Sequence, residues 1–579
     1  MWDKRKTVGT LSLALALASA YRLRHQIISR GIGLPPPRYQ VRVTRNLRIP
    51  MLDGIHLLAD LYSPVTTEKC PTILIRTPYG RRLGADMMGM FAIFVGHRFA
   101  EQGFHVLIQD VRGRFDSEGE FEPFVNERVD GLATLAWIET QPWFNGAIGM
   151  WGPSYLGYVQ WAVAANSPPS LKAIMPMVVG SNGYSVVHAD GSFGLESLLR
   201  WIYLLDSAGS QTRPSFRKVT RRLTVAQQEK WLARGFWHLP LKDADRAIIG
   251  EHIPYFQTWL HQTCPNDPYW QLTDLRENIN NVQVPVHLLS GWYDFALREL
   301  LADYMRLRQN GRSPYLTIGP WAHSDTGHVV AGLQHGLRWF NAHLKGIPDA
   351  TRQKPVQIYV MGADEWRWFG DWPPAYRPFP LFLHSNHKLT PQMPADFEPP
   401  DVYLYDPANP TPSLGGTMLG PRGGVVDGRE LEFRPDVLVY STPPLEKDVE
   451  VIGPVKLVLY VKSSVSNTDF YGRLCDVWPD GRSLNVCDGL HRLRVGETAV
   501  QPDGSCRIEI DLWATAYRFR AGHCLRLYVA SSAHPRWARN LGTDEPLATA
   551  TRIVTARQTV FHDAKRPSAL ILPLFQGEL

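Results

Sequence analysis

A chain of 579 residues with 44% hydrophobic and 20% charged residues has an ordinary globular composition, and its length suits about three or four domains. No run of about 18 apolar residues occurs, which excludes a polytopic helical membrane protein. The net charge of +6 is misleading: the first 50 residues hold ten Lys or Arg and one acid, which leaves 51 basic against 54 acidic residues elsewhere. A body charge of −3 gives no electrostatic footprint for nucleic acid.

Lys4 to Lys6 precede the apolar stretch TVGTLSLALALASA, which ends in Ala18-Ser19-Ala20. This reads as a signal peptide cleaved before Tyr21. Arg22 and Arg24 follow at once and resist translocation, so a retained helix, packed or membrane-adsorbed, is the alternative. Export and retention both stay open. Pro35-Pro36-Pro37 then separates this segment from the folded body.

TILIRTPY (72–79) predicts a buried strand running out into the loop RTPYGRR. A phenol at such a strand end, Tyr79, is placed to donate to an oxyanion; its plain alternative is a half-buried aromatic. FHVLIQDVRG (104–113) predicts the next strand, ending in Asp110, Arg112 and Arg114, which read as structural ion pairs. Val129, Leu132, Leu135, Ala136 and Ile138 fall near helical spacing and predict a helix over 127–140.

AIGMW (147–151) predicts a short strand, and YLGYVQWAVAAN a helix directly after it. Between them lies MWGPSYLG, with Ser154 flanked by Gly152 and Gly157. A sharp strand-to-helix turn that exposes a nucleophile needs small neighbours, although the spacing here is G-x-S-x-x-G rather than G-x-S-x-G. In that reading Ser154 is the nucleophile and the Tyr155 N–H an oxyanion donor. The alternative is a helix-capping serine without chemistry. LKAIMPMVV (171–179) adds another strand, and the strand–helix alternation predicts a parallel sheet covered on both faces.

From about 190 to 280 strand-like runs are few and several helices are predicted, as in a helical insertion. Strands return with VPVHLLSG (284–291) and PYLTIGP (314–320). Asp294 lies just beyond the first and His323 just beyond the second, in the order nucleophile, acid, base expected of an α/β-hydrolase. Asp294 alone reads equally as a helix N-cap, and His323, Asp325 and His328 resemble a partial metal cluster. After about 355, short β-rich runs separated by Pro, Gly and Asp predict an antiparallel sandwich of jelly-roll type. Cys70, Cys264, Cys475, Cys487, Cys506 and Cys524 include no C-x-x-C pair and read as ordinary thiols.

RTPYG, QDVRGRFDSEG, GMWGPSYLGYVQW, SGWYD and IGPWAHS, followed by VMGADEWRWFGDWP, YLYDPANPTPSLGG and TDFYGRLCDVWPDGRSLNVCDG, resemble the CocE/NonD family of serine hydrolases from about residue 40 onward. The resemblance implies an α/β-hydrolase with a cap and a C-terminal jelly roll. It also implies Ser154 as nucleophile, Asp294 as acid, His323 as base, and Tyr79 with the Tyr155 N–H as the oxyanion hole. No cofactor or metal is implied. The expected organisation is an N-terminal signal-like or helical segment (1–37), core (38–190), helical cap (191–280), core again (281–352) and jelly-roll sandwich (353–579). The expected substrate is a small carboxylic ester. A peptidase or amidase acting on a free α-amine is the alternative and would need carboxylates such as Glu196 or Asp206 near the pocket. A non-catalytic binding module is the alternative of another class. Membrane contact is expected through the N-terminal segment alone.

Overall fold

The computed structural model describes residues 25–577 apart from 83–86, 210–223, 349–351, 353, 495, 497 and 498, so the signal-like stretch 1–20 lies outside the described residues. The first body is built on a ten-stranded sheet. In chain order its strands are β1 (Val41–Pro50), β2 (His56–Pro64), β3 (Thr72–Thr77), β4 (His105–Asp110), β5 (Ile148–Pro153), β6 (Leu171–Met177), β7 (His287–Tyr293), β8 (Tyr315–Ala322), β9 (Val356–Val360) and β10 (Glu365–Phe369). Their spatial order is β1-β2-β4-β3-β5-β6-β7-β8-β9-β10. From β4 to β9 every neighbouring pair is parallel, while β1, β2 and β10 add antiparallel edges.

Burial explains why these segments are strands. TILIRT and HVLIQD are buried at every position, as expected where helices cover both faces of a parallel sheet. The helices Met87–Ala100, Glu127–Glu139, Tyr155–Ala164, Leu297–Gln309 and Gly327–Lys345 supply that cover. Between β6 and β7 the strands stop, and the helices Leu195–Gly209, Val225–Phe236 and Pro254–His261 form a cap.

Two antiparallel sheets make up the second body. One of seven strands is centred on Val449–Ser463, and one of four contains Thr468–Val477 and Ser483–Leu493. They pack face to face: a methyl placed on Gly472 would meet Leu457 at 2.6 Å and Leu512 at 3.0 Å. One expectation is corrected here. VQIYV, read as the opening of the sandwich, is β9 and pairs in parallel with β8, and β10 closes that same sheet. Its alternating burial looks like a sandwich strand, because strands near a sheet edge are covered less evenly than central ones.

Several histidines are buried in this fold. Burial lowers His105, His188 and His328 to about 4 and His534 to about 3. In the unfolded chain each takes up a proton near pH 6.5, which the folded protein refuses until far lower pH. Stability is therefore complete above about pH 7 and is lost as pH falls from about 6.5 towards 4, at about 1.4 kcal/mol per pH unit for each histidine. The urea midpoint should drop steeply between pH 7.5 and 5; equal midpoints would contradict this reading.

Candidate active site

Ser154 sits between the end of β5 and the helix Tyr155–Ala164 with φ 56° and ψ −126°, a conformation L-residues rarely adopt. Two glycines permit it. A methyl on Gly152 would lie 2.4 Å from the Leu156 Cβ, and one on Gly157 2.4 Å from Val179. The turn is pinned by the Ser154 N–H donating to the Met177 carbonyl at 2.8 Å. Ser154 occupies the N-cap position but makes no side-chain cap bond. Its Oγ lies instead 3.1 Å from His323 Nε2, which decides against the capping alternative.

His323 follows β8, and its Nδ1 lies 2.8 Å from Asp294 Oδ1, at the end of β7. Asp294 is fully buried. Ser290 Oγ donates to its Oδ2 at 2.6 Å and the Ala296 N–H to its Oδ1 at 3.1 Å. Burial alone would raise this carboxyl; the His323 charge and the bonds from His323, Ser290 and Ala296 outweigh it and hold the pKa below the ordinary carboxylate value. Phe295 stacks on the imidazole, with ring centroids 4.2 Å apart.

Among the described residues, His323, Asp325 and His328 are not brought together at metal-ligand spacing. Asp325 accepts the Ala322 N–H at 2.7 Å and so shapes the histidine turn, while His328 is buried and neutral. Among the described residues the grouping with metal-ligand spacing is His25, His97 and Glu101. There the Arg98 guanidinium already fills the cation's role, 2.6 Å from Glu101 and 2.8 Å from His25.

Tyr79 is buried at the end of β3, near enough to Ser154 for the serine side chain to act on its phenol. Trp201 Nε1, from the cap, donates to the Tyr79 hydroxyl at 2.9 Å. Burial pushes the phenol pKa up, so the group keeps its proton and remains a donor. Arg114 fixes this corner: it donates to the Pro78 carbonyl at 2.9 Å and to the Leu205 carbonyl of the cap at 2.8 Å. Asp110 pairs with Arg81, and Arg112 with Asp130 and Asp53.

Tyr155 opens the helix, where first-turn N–H groups lack intrahelical acceptors and the dipole is positive. Its side chain is locked from behind. The hydroxyl donates to Glu127 at 2.7 Å and accepts the Phe124 N–H at 3.1 Å, and Arg76 pairs with Glu127 at 2.6 Å. Beside Tyr79 and Tyr155, the rings of Phe124, Trp201 and Trp259 pack as a triangle with centroids 6.2, 6.0 and 6.4 Å apart.

The sandwich also reaches the site. Tyr293, beside Asp294, donates to the Asn485 carbonyl at 3.0 Å; the Asn485 side chain accepts from Val426 N–H at 2.7 Å and donates to the Gly424 carbonyl at 3.1 Å. A methyl on the adjacent Gly423 would lie 3.5 Å from the Ala322 Cβ. Sequence reasoning missed Ser290, Trp201, Glu127 and Asn485. Ser290 was within reach, four residues before Asp294 in SGWYD; the others depend on contacts between distant segments.

A serine on a strand-to-helix elbow, an imidazole between it and a buried carboxylate, and a capped parallel sheet define a serine hydrolase of the α/β-hydrolase class. The comparisons narrow this. Residues 53–325 match the X-Pro dipeptidyl-peptidase (S15) family, and 348–571 match the X-Pro dipeptidyl-peptidase C-terminal non-catalytic domain. The chain is 35% identical over 578 residues to the cocaine esterase of Rhodococcus sp. (strain MB1 Bresler), covering 92% of this chain and 99% of that one. The chain belongs to the CocE/NonD family of serine hydrolases and is a carboxylic ester hydrolase. The same fold occurs in an α-amino-acid ester hydrolase (TM-score 0.76, 24% identity, covering 93% of this chain and 97% of that one). It also occurs in an aminopeptidase from a Thaumarchaeota archaeon (TM-score 0.79, 23% identity, 93% and 97% covered).

Proposed function

We propose that Ser154, His323 and Asp294 act as nucleophile, base and orienting acid in a two-step hydrolysis of small carboxylic esters. The observation that carries this is the continuous line from Asp294 Oδ1 to His323 Nδ1 (2.8 Å) and from His323 Nε2 to Ser154 Oγ (3.1 Å). His323 takes the Ser154 proton as Oγ attacks the acyl carbon, then returns it to the leaving alcohol. Water attacks the acyl-enzyme with the same base, freeing the acid and regenerating Ser154. The Tyr79 hydroxyl and the Tyr155 N–H face the oxygen on which negative charge develops.

Tyr79→Phe removes one of those donors and is expected to lower kcat by about 10²- to 10³-fold with a much smaller change in KM. A kcat equal to wild type would remove Tyr79 from the oxyanion hole.

The peptidase alternative requires an acid free to meet a substrate ammonium. Glu196 does not fit: its buried carboxylate accepts the Leu419 N–H at 3.1 Å, the Gly420 N–H at 3.0 Å and Arg200 Nε at 2.6 Å. With Glu196 committed to the cap, Asp206 is the acid left to that alternative, and the aromatic faces of Trp201 beside Tyr79 and Phe295 beside His323 favour an ester with an uncharged acyl group. Hydrolysis of p-nitrophenyl butyrate and of Ala-Pro-p-nitroanilide, measured together, tests the preference. Faster turnover of the anilide would reverse it.

A further inference from the structure

A cavity of about 460 Å³ opens between the cap and the sandwich, and neither Ser154, Asp294, His323, Tyr79 nor Trp201 lines it. Its volume falls within the range of small-molecule sites, about 300–1,000 Å³. The inner wall is apolar: Phe193, Leu195, Phe236, Leu241 and Leu260 come from the cap and are buried, and Leu541 faces them from the sandwich. Exposed Asp544 and Glu545 stand among its remaining lining residues.

Most of the charge around this cavity is already matched. Arg492 makes two 2.8 Å bonds to Asp469. Asp544 accepts from the Asn467 amide. Glu545 accepts the Thr551 N–H at 3.1 Å and pairs with Arg552 at 3.4 Å. Arg539 differs. It donates to the carbonyls of Pro407 at 3.0 Å and Trp237 at 3.1 Å and lies 5.0 Å over the Trp237 ring. Among the described residues no carboxylate pairs with it. Two carbonyls and an aromatic face from outside the cavity wall thus fix the guanidinium of a residue that lines it, with donors to spare, since arginine carries five N–H groups.

We propose that this cavity is a second small-molecule site that binds an amphipathic monocarboxylate, with the carboxylate on Arg539 and an acyl or aryl body against Phe193, Phe236, Leu241 and Leu541. A planar guanidinium suits a carboxylate better than any neutral head group. Burial lowers the Arg539 pKa, a cost that an anionic partner offsets. Carboxylates are also what ester hydrolysis releases, so the acid product would have a place to act away from Ser154. The binding claim itself does not depend on the esterase reading.

Calorimetric titration of the full chain with sodium octanoate and sodium benzoate tests the proposal, beside Arg539→Gln and Leu547→Trp, the second of which fills the cavity from a half-buried wall position. The expected result is saturable binding of at least one probe, weakened about tenfold or more by Arg539→Gln, the loss of one charge-assisted contact, and abolished by Leu547→Trp. Octan-1-ol should bind Arg539→Gln and wild type alike. If Arg539→Gln fails to fold, Leu547→Trp decides alone. Undiminished carboxylate binding in Leu547→Trp, or no saturable binding of either probe to wild type, would overturn the proposal.

Discussion

Ser154→Ala is expected to lower kcat for p-nitrophenyl butyrate by about 10⁴- to 10⁶-fold while the protein stays folded. The size follows from what remains. Without Oγ no acyl-enzyme forms, and the surviving oxyanion donors can assist only direct attack by water, worth a residual of about 10³–10⁴ over the uncatalysed rate. The elbow should tolerate the change. The side chain makes no cap bond, the turn is held by the Ser154 backbone, and alanine accepts φ 56° about as poorly as serine does. An unchanged melting temperature with collapsed turnover is the expected pair of readings. Retained turnover would take the chemistry away from this serine.

Asp294→Asn should cost about 10⁴-fold in kcat at neutral pH, again with the fold intact. The amide is nearly isosteric: with its NH₂ in the Oδ1 position, the oxygen in the Oδ2 position keeps the Ser290 bond, and only the Ala296 N–H loses its acceptor. What fails is the partner at His323 Nδ1, 2.8 Å away. A carboxylate accepts the Nδ1 proton and leaves Nε2 free to take the Ser154 proton, whereas an amide NH₂ there favours the opposite tautomer. It also removes the negative charge that stabilises the imidazolium as it forms. Asp294 is held below the ordinary carboxylate value by His323, Ser290 and Ala296 against the effect of its burial, so it carries that negative charge throughout the neutral range. A loss smaller than about tenfold would mean the carboxylate only packs the loop, since tautomer control alone is worth far more.

The two effects show why so much of the site was legible. Parallel strands buried on both faces read as continuous apolar runs, so TILIRT, HVLIQD and the strands before Asp294 and His323 stand out, and in this topology the chemistry gathers beyond their carboxyl ends. Five named positions meet at one point because they all lie at such ends. Strand β1 escaped notice: VRVTRNLRIP is an edge strand with most side chains in solvent, and its polar character hides its extended form. VQIYV was assigned to the wrong sheet because alternating burial cannot distinguish a sandwich strand from a strand near the edge of the parallel sheet.

The residues that set the site's precision were harder to see. Trp201 acts on Tyr79 across 122 positions and Asn485 on Tyr293 across 192, and neither partner carries a local motif. Glu127 sits on a helix that reads as amphipathic, where an acid in the first turn is expected for the dipole alone. Only the fold shows it buried between Arg76 and Tyr155. Glu196 is the reverse case. In sequence it was a candidate for a substrate amine; in the fold its carboxylate is used to hold the Leu419–Gly420 backbone against the cap.

The central claim is that Ser154 is the residue that becomes acylated. Labelling the folded protein with a fluorophosphonate and locating the adduct by tandem mass spectrometry tests it most directly. One adduct per chain is expected, on Ser154, formed far more slowly in His323→Ala. An adduct on another serine, or labelling of Ser154 at the same rate without His323, would contradict it.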